Sequence, residues 1–405
     1  MEISFSDSFF QLGNDTLTKD EVLQPSSLSG YHWPDTDPTK VDQPTRLKSE
    51  SDFKKVKVAS TNVDIDWTMF EKNTRNMSLP EKIFQLLTNA KFQFNTRTAI
   101  LQENLWLQRI TDAVLRNEPI TVAYPLLCKI GNWAKQMNNI GPNAGEESTI
   151  LFFGRINTLV KSIYKPGIVF YIVCDAQLYN SAFQNPEVEV NSYITQCRQL
   201  IQLMQAECYV KFHNYVELLE PYSKEYLNAH MHYQKVLSNK PESIFNSINV
   251  KTLFDSVKAS FNTRKFRIAY DDLREIFSNS QNKSNKLYTT IERMAMIAFE
   301  EVICIRMACS EMNILERIWP HHIRVTCHKG LKNGRAIIGL RPYPEYYGSS
   351  KLLSYHGIPV ITNSKRGLKL DIQPEVMLRG RLDLVRVIDT NGQTYYYDGT
   401  VNLIN

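Results

Sequence analysis

Residues 141–147 read GPNAGEE, and this stretch decides how the surrounding chain folds. Gly141 and Pro142 end the preceding element. Asn143 is a preferred helix N-cap residue, and Glu146 follows three positions later, as in a capping box. The apolar residues that recur at helical spacing after it are Ile150, Leu151, Ile156, Leu159, Val160 and Ile163. A helix that starts at about residue 144 is therefore predicted.

Two apolar, β-branched runs flank this helix, at residues 120–124 and 168–174. The order strand, loop, helix, strand is typical of a parallel sheet. It brings Lys129, the start of the helix and Asp175 to the sheet edge at which such folds bind ligands. The same cap and strands also occur as ordinary architecture, and spacing alone favours that interpretation.

Composition narrows the class of protein. The chain has 405 residues, 43% of them hydrophobic, which is ample for a large core. Its 47 basic and 42 acidic residues are interspersed, so we expect no nucleic-acid partner. Its seven cysteines form no CxxC pair and are typical of reduced thiols in a cytoplasmic protein. No signal peptide and no membrane span are expected.

The chain divides into two predicted regions. Residues 1–63 are rich in proline and polar residues without any period, which indicates a flexible N-terminal leader. Residues 64–405 are expected to form an α/β domain with a Rossmann-like, largely parallel sheet. Within it, residues 213–319 have helical patterns and form a helical insertion, while residues 320–405 form a C-terminal β-rich part.

The familiar catalytic motifs are absent: there is no P-loop, GxGxxG, GxSxG or HExxH sequence. No histidine or cysteine spacing suits a metal, so no metal site and no cofactor are expected. The strand pattern of residues 323–328 puts Arg324, Thr326 and His328 on one face, which suits an anionic ligand. His356 precedes another strand. Without further context, a structural role is the favoured interpretation of either histidine.

Five segments occur in an order that resembles one known family. They are residues 124–132 (YPLLCKIGN), 142–146 (PNAGE), 163–176 (IYKPGI to CDA), 323–328 (IRVTCH) and 353–357 (LSYHG). The similar patterns are Pro-x-Phe-Pro-x-Lys-Ser-x-Asn, Pro-Asp-x-Gly-Glu, Ile-Tyr-x-Pro-Gly-Ala to Ser-Asp-Gly, Ile-Arg-x-Ser-Ile-His and Thr-Pro-Trp-His-Gly. Together they resemble the pyoverdine/dityrosine biosynthesis family, which contains the amino-acid isocyanide (isonitrile) synthases, over residues of about 70 to 400.

This resemblance implies an enzyme of secondary metabolism that converts the α-amino group of an amino acid to an isonitrile. Ribulose 5-phosphate is the implied carbon donor, so the partners would be these two small molecules; a homodimer is left open. A related enzyme that forms N-formyl amino acids, as in the dityrosine branch, is an alternative. Departures from the family patterns at Asn143, Ala176, Ser354 and Tyr355 also leave open a degenerate member that binds only a ligand or a partner protein.

The resemblance and the residue types together predict the site. We expect His328, His356, Glu146 and Asp175 to take acid/base or orienting roles, because imidazole titrates near neutrality and a carboxylate can hold an ammonium group. The residues expected to bind substrate are Lys129, Asn132, Lys135, Arg324 and Thr326. These side chains are predicted to line one pocket.

Overall fold

The structure, a computed structural model, describes residues 43–95, 103–127, 141–183, 187–240, 243, 286–326, 338–344 and 352–401. The helices of these residues are α1 (Glu50–Thr61), α2 (Trp67–Asn73), α3 (Leu79–Leu87), α4 (Glu103–Arg116), α5 (Ala144–Lys161), α6 (Asn180–Phe183), α7 (Glu187–Leu203), α8 (Tyr215–Leu219), α9 (Ser223–Asn239), α10 (Lys286–Met312) and α11 (Ile314–Ile318). The strands are β1 (Thr45–Leu47), β2 (Gln93–Asn95), β3 (Ile120–Pro125), β4 (Ile168–Cys174), β5 (Val210–Asn214), β6 (Ile323–Thr326), β7 (Ile338–Leu340), β8 (Ile358–Ser364), β9 (Gly367–Gln373), β10 (Val385–Ile388) and β11 (Thr394–Gly399).

The central sheet has the strand order β2-β7-β6-β3-β4-β5. Every pair from β7 to β5 is parallel, and β2 alone pairs antiparallel, with β7. Strands β3 (ITVAYP) and β4 (IVFYIVC) are nearly continuous apolar runs, as expected of strands covered on both faces. The prediction of a Rossmann-like, largely parallel sheet is confirmed.

The second sheet has the order β1-β10-β11-β8-β9 and accounts for the predicted C-terminal β-rich part. Strands β8 and β9 form an antiparallel hairpin, and β10 and β11 form another. The second hairpin turns through Asn391 and Gly392, and Gly392 has a φ of 75°, a conformation that favours glycine. Strand β8 then joins β11 in parallel.

Helix α5 links the two sheets, since it contacts β4 of the central sheet and β8 and β11 of the second. Phe153 of α5 stacks on Phe170 of β4 with ring centroids 4.3 Å apart. Its fully buried apolar residues include Ile150, Phe152, Phe153, Ile156 and Val160. Burial of each such side chain stabilises the fold by roughly 1.5–3 kcal/mol. The helix predicted from the GPNAGEE stretch is therefore the centre of the core.

Residues 43–63 correct the predicted leader. Strand β1 pairs with β10, and α1 packs against α5 with Val56 fully buried. Asp52 of α1 is also fully buried and accepts hydrogen bonds of 2.6 Å from Arg46 and from Tyr396 of β11. The domain boundary at residue 63 is therefore wrong. Arg46 and Lys55 of this segment pair with the buried carboxylates of Asp52 and Asp398, and such charges resemble a solvated surface in the sequence. Residues 1–42 lie outside the described residues.

Helices α8 to α11 fall within the predicted helical insertion. Helices α9 and α10 pack against each other, and a second apolar cluster lies between them and the sheet. Among the helices that the structure describes, none combines the length and the apolar character needed to cross a membrane.

Candidate functional site

The N-terminus of α5 is closed by its own side chains. The Gly145 N–H donates to Asn143 Oδ1 at 2.7 Å, and the Asn143 N–H donates to Glu146 Oε2 at 2.8 Å. Asn143 is 2% exposed and Glu146 is fully buried. The predicted capping box is confirmed, and the family departure at Asn143 preserves the cap, because asparagine and aspartate cap helices about equally well.

Glu146 is also held from α7. The Tyr193 hydroxyl donates to Glu146 Oε1 at 3.0 Å. Burial raises the pKa of Tyr193 well above its ordinary value, and the neighbouring Cys197, Glu146 and Cys174 raise it further. Cys174 is the last residue of β4. The Glu146 carboxylate therefore lies near the carboxyl end of β4, where a parallel sheet binds ligands.

The segment before β8 packs on the same end of α5. A side chain at Gly145 would collide with the Ser354 carbonyl oxygen, so only glycine allows this approach. Thr149 Oγ1 donates to Ser354 Oγ at 2.7 Å. His356 lies two residues further on, with its ring 4.4 Å from the Tyr355 ring in an edge-on arrangement. The structure thus brings the His356 segment to the capped end of α5, and the departures at Ser354 and Tyr355 are packed into the fold.

A second group of polar residues lies in β5 and β6 and directly after β4. Asp175 directly follows β4, Asn214 ends β5, and Arg324 lies in β6 beside Ala123 of β3. The Asn214 side-chain amide donates to the Gln177 side chain, which ties the loop after β4 to the end of β5. The topology therefore places the Asp175 carboxylate and the Asn214 amide at the carboxyl edge of the sheet, with Arg324 further back near the start of β6.

The charges of Asp175 and Arg324 both affect the pKa of Cys309 on α10. Burial raises the pKa of the Cys309 thiol to about 12; the hydrogen bond with Tyr215 and the Arg324 guanidinium oppose the rise, and the Asp175 carboxylate adds to it. Arg306, one turn earlier on α10, is hydrogen-bonded to Tyr179 and opposes the large rise in the Tyr179 pKa that burial causes. The charges of Asp175 and Arg324 therefore both act on the Cys309 thiol, and a second arginine, Arg306, lies on α10 with Cys309.

Sequence reasoning missed Arg306, Cys309, Tyr179 and Tyr215. The α10 residues follow the apolar period of a packed helix, and the phenols lie in loops and short helices without a period. One signal was available. Arg306 is the single charged residue in the stretch 302–309 (VICIRMAC), and a charge inside an apolar helical run needs a polar partner or solvent.

Five of the nine predicted site residues lie in the described part of the chain. Glu146 lies at the capped end of α5, Asp175 directly follows β4, and Arg324 is the second residue of β6. Thr326 ends β6 beside Gly339 of β7 and is half-buried like Arg324, with buried Val325 between them. The prediction that Arg324 and Thr326 share a strand face is confirmed. Lys129, Asn132, Lys135 and His328 lie outside the described residues, so the single pocket stays a prediction.

The backbone after β3 has an unusual conformation. Leu127 is fully buried and has a φ of 59°, which a large apolar residue rarely adopts. Such conformations cost free energy and cluster at ligand sites. The predicted Lys129 follows two residues later.

In the part of the chain that the structure describes, no group of three or more His, Cys, Asp or Glu is arranged to hold a metal ion.

Residues 110–349 match the family model described as "Pyoverdine/dityrosine biosynthesis protein". The chain belongs to this family. The matched region contains β3, α5, β4 and β6, and with them the capped helix, Asp175 and Arg324. Membership of the family supports a biosynthetic enzyme with a role related to those of its members.

Two known proteins are similar to this chain. The crystal structure of the PvcA protein from Pseudomonas aeruginosa is similar in fold, with a TM-score of 0.53 and 18% identity over 79% of this chain and 99% of that one. The spore wall maturation protein DIT1 of Saccharomyces cerevisiae is 27% identical over 131 residues, which are 32% of this chain. The chain matches only 22% of the length of DIT1.

Proposed function

We propose that the protein is an isonitrile (isocyanide) synthase that uses ribulose 5-phosphate as carbon donor for the α-amino group of an amino acid, in secondary-metabolite biosynthesis. The observation that carries the proposal is that the charges of Asp175, which directly follows β4, and of Arg324 in β6 both act on the buried Cys309 thiol beside the parallel sheet of a chain of this family. We further propose that the enzyme acts in the cytoplasm.

The two substrates carry a phosphate, a carboxylate and an ammonium group. Arg324 and Arg306 are suited to the anions, because guanidinium groups bind phosphate and carboxylate through paired hydrogen bonds. Asp175 and Glu146 are suited to the ammonium group. Lys129, Asn132, Lys135 and Thr326 complete the proposed set of binding residues.

The proposed reaction needs proton transfers but no metal or cofactor. The amine condenses with the ketone carbon of ribulose 5-phosphate and water leaves. Proton transfers and loss of phosphate turn the far end of the sugar into a methyl ketone. Both carbon–carbon bonds of the former ketone carbon then break: one side leaves as formaldehyde and leaves its electron pair behind, and the other leaves as hydroxyacetone and takes an electron pair and a proton. That carbon stays on the nitrogen as the isonitrile, and no oxidant is needed. His356 and His328 are the proposed proton shuttles, because imidazole titrates near neutrality.

A second candidate is an enzyme that forms N-formyl amino acids. The similarity to a spore wall maturation protein favours it, because the dityrosine branch of the family is the one associated with that chemistry. The two candidates share a fold and a family, and their products differ only by one molecule of water on the carbon left on nitrogen, which has the same oxidation state in both.

Mass spectrometry of the reaction mixture distinguishes the candidates. The purified protein is incubated with ribulose 5-phosphate and each of the twenty amino acids in turn, with Asp175→Asn as a matched variant. An isonitrile product adds one carbon to the amino acid and removes two hydrogens, whereas an N-formyl product adds one carbon and one oxygen. Binding of ribulose 5-phosphate without either product would contradict both and support a member that only binds ligands.

A further inference from the structure

Glu147, the residue after Glu146, is held by two side chains from distant parts of the chain. It is 6% exposed in the first turn of α5. Lys48 Nζ donates to Glu147 Oε1 at 3.1 Å, and the Tyr395 hydroxyl donates to Glu147 Oε2. Lys48 Nζ also lies 3.6 Å from the centroid of the Tyr395 ring. The three side chains thus form one closed contact.

This contact stabilises a carboxylate that would otherwise be costly to bury. Burial raises the pKa of Glu147, while the charge of Lys48 and the Tyr395 hydrogen bond oppose the rise; the neighbouring Glu146 adds to it. A buried charge that loses its partner destabilises its surroundings strongly. Lys48 and Tyr395 therefore decide whether the first turn of α5 can keep two adjacent buried glutamates.

Both partners come from the second sheet and its neighbours. Lys48 lies between β1 and α1, and its backbone N–H donates to the Ile388 carbonyl of β10 at 2.8 Å. Tyr395 lies in β11. Both positions fall outside residues 110–349, the region that defines the family. The end of α5 is thus fixed by parts of the chain that the family match does not include.

We propose that Lys48 and Tyr395 are positioning residues of the candidate site. Through Glu147 they fix the first turn of α5, and with it Asn143 and the Glu146 carboxylate. The consequence for catalysis rests on the proposed function, because it requires Glu146 to act on the substrate. The consequence for the conformation of α5 is independent of the proposed function.

Hydrogen exchange of the backbone of residues 141–150 tests the positioning directly. K48M and Y395F are expected to raise exchange in this segment, and K48R is expected to restore it because arginine keeps the charge. In an E147Q background, adding K48M should change exchange little, since residues that act through one contact are not additive. Y395F removes a single hydroxyl and keeps the test decisive if K48M fails to fold.

K55M is the matched control. Lys55 Nζ donates to Asp398 Oδ2 at 2.7 Å and to Thr400 Oγ1 at 2.9 Å, so these hydrogen bonds tie α1 to β11 and not to α5. We expect K55M to lower global stability and to leave exchange in residues 141–150 at the level set by that loss. Unchanged exchange in K48M and Y395F, or an equal local rise in K55M, would overturn the proposal.

Kinetics then separate this proposal from the proposed function. If the wild type makes an isonitrile, K48M should lower kcat per folded molecule by about tenfold or more with a smaller change in KM, because small misplacements of a reacting group are costly. K55M should not. A wild type that makes no product, with the predicted exchange pattern, would overturn the proposed function and leave the positioning by Lys48 and Tyr395 supported.

Discussion

The Tyr193 hydroxyl and the Glu146 carboxylate are joined by a hydrogen bond of 3.0 Å, although they lie on different helices. The second carboxylate oxygen accepts the Asn143 backbone N–H at 2.8 Å. One oxygen therefore closes the helix end and the other is oriented from α7. A carboxylate fixed in this way has a defined direction before any ligand binds, which favours both catalysis and selective binding.

Glu146→Gln separates capping from chemistry. Its amide oxygen can still accept the Asn143 N–H, so we expect a stability loss of about 1 kcal/mol, as for a weakened cap. Turnover should fall on the order of a hundredfold if the carboxylate transfers a proton or holds the ammonium group.

Glu81→Gln is the control for this variant, because Glu81 forms the same capping box with Ser78 on the exposed end of α3. It should leave turnover unchanged. Thermal unfolding and steady-state kinetics on both variants give the answer. A Glu146→Gln protein that is less stable but turns over normally would reduce Glu146 to a capping residue.

Arg324→Ala should chiefly weaken the binding of ribulose 5-phosphate. Removal of a guanidinium group from a phosphate or carboxylate contact typically costs about 1.5–3 kcal/mol, so calorimetry should show a loss in affinity of roughly tenfold to a hundredfold. Arg317→Ala is the control, since Arg317 forms an exposed ion pair with Glu225 at 2.6 Å. Equal affinities for the two variants would remove Arg324 from the binding site.

His322 predicts a fall in stability on acidification. Burial lowers its pKa from 6.5 to about 4; Arg324 and Arg109 add to the fall, while the hydrogen bond to Trp319 and the charge of Glu316 oppose it. The unfolded chain binds a proton below 6.5 that the fold does not accept until about 4. The contribution of His322 to the free energy of unfolding is therefore fully present above pH 6.5. It is lost, by roughly 3 kcal/mol, as the pH falls from 6.5 to about 4.

His322→Gln should flatten this part of the pH profile. His321→Gln is the control, because the adjacent His321 side chain is 54% exposed. Urea unfolding between the two pKa values measures both variants. A profile for His322→Gln that keeps the slope of the wild type would show that another group causes the acid sensitivity.

Removal of residues 1–63 should abolish cooperative folding. The truncation exposes the α5 face that Val56 covers, and it removes Arg46 and Lys55, the ion-pair partners of buried Asp398. Loss of such partners costs several kcal/mol. Removal of residues 1–42 eliminates none of these contacts and serves as the control. If the protein without residues 1–63 unfolded within a few degrees of the melting temperature of the full chain, this account of residues 43–63 would be contradicted.

Local patterns predicted the centre of the fold. The cap at Asn143, the helix that follows and the strands on either side are each encoded within a few residues, so the β3–α5–β4 unit was recognisable. The Arg46, Asp52 and Asp398 cluster was not, because charges buried by distant pairing resemble a solvated surface in a sequence. Arg306, Cys309 and Tyr215 were missed for a similar reason: only the packing of α10 on the sheet edge brings them to Asp175 and Arg324.

The central claim is tested most directly with ribulose 5-phosphate labelled with ¹³C at its ketone carbon. The enzyme is incubated with this sugar and the amino acid that it accepts, and the product is analysed by mass spectrometry and ¹³C NMR. The account predicts one labelled carbon, bonded to the former α-amino nitrogen as an isonitrile. An unlabelled product, a labelled N-formyl amino acid, or no product with any amino acid would contradict it.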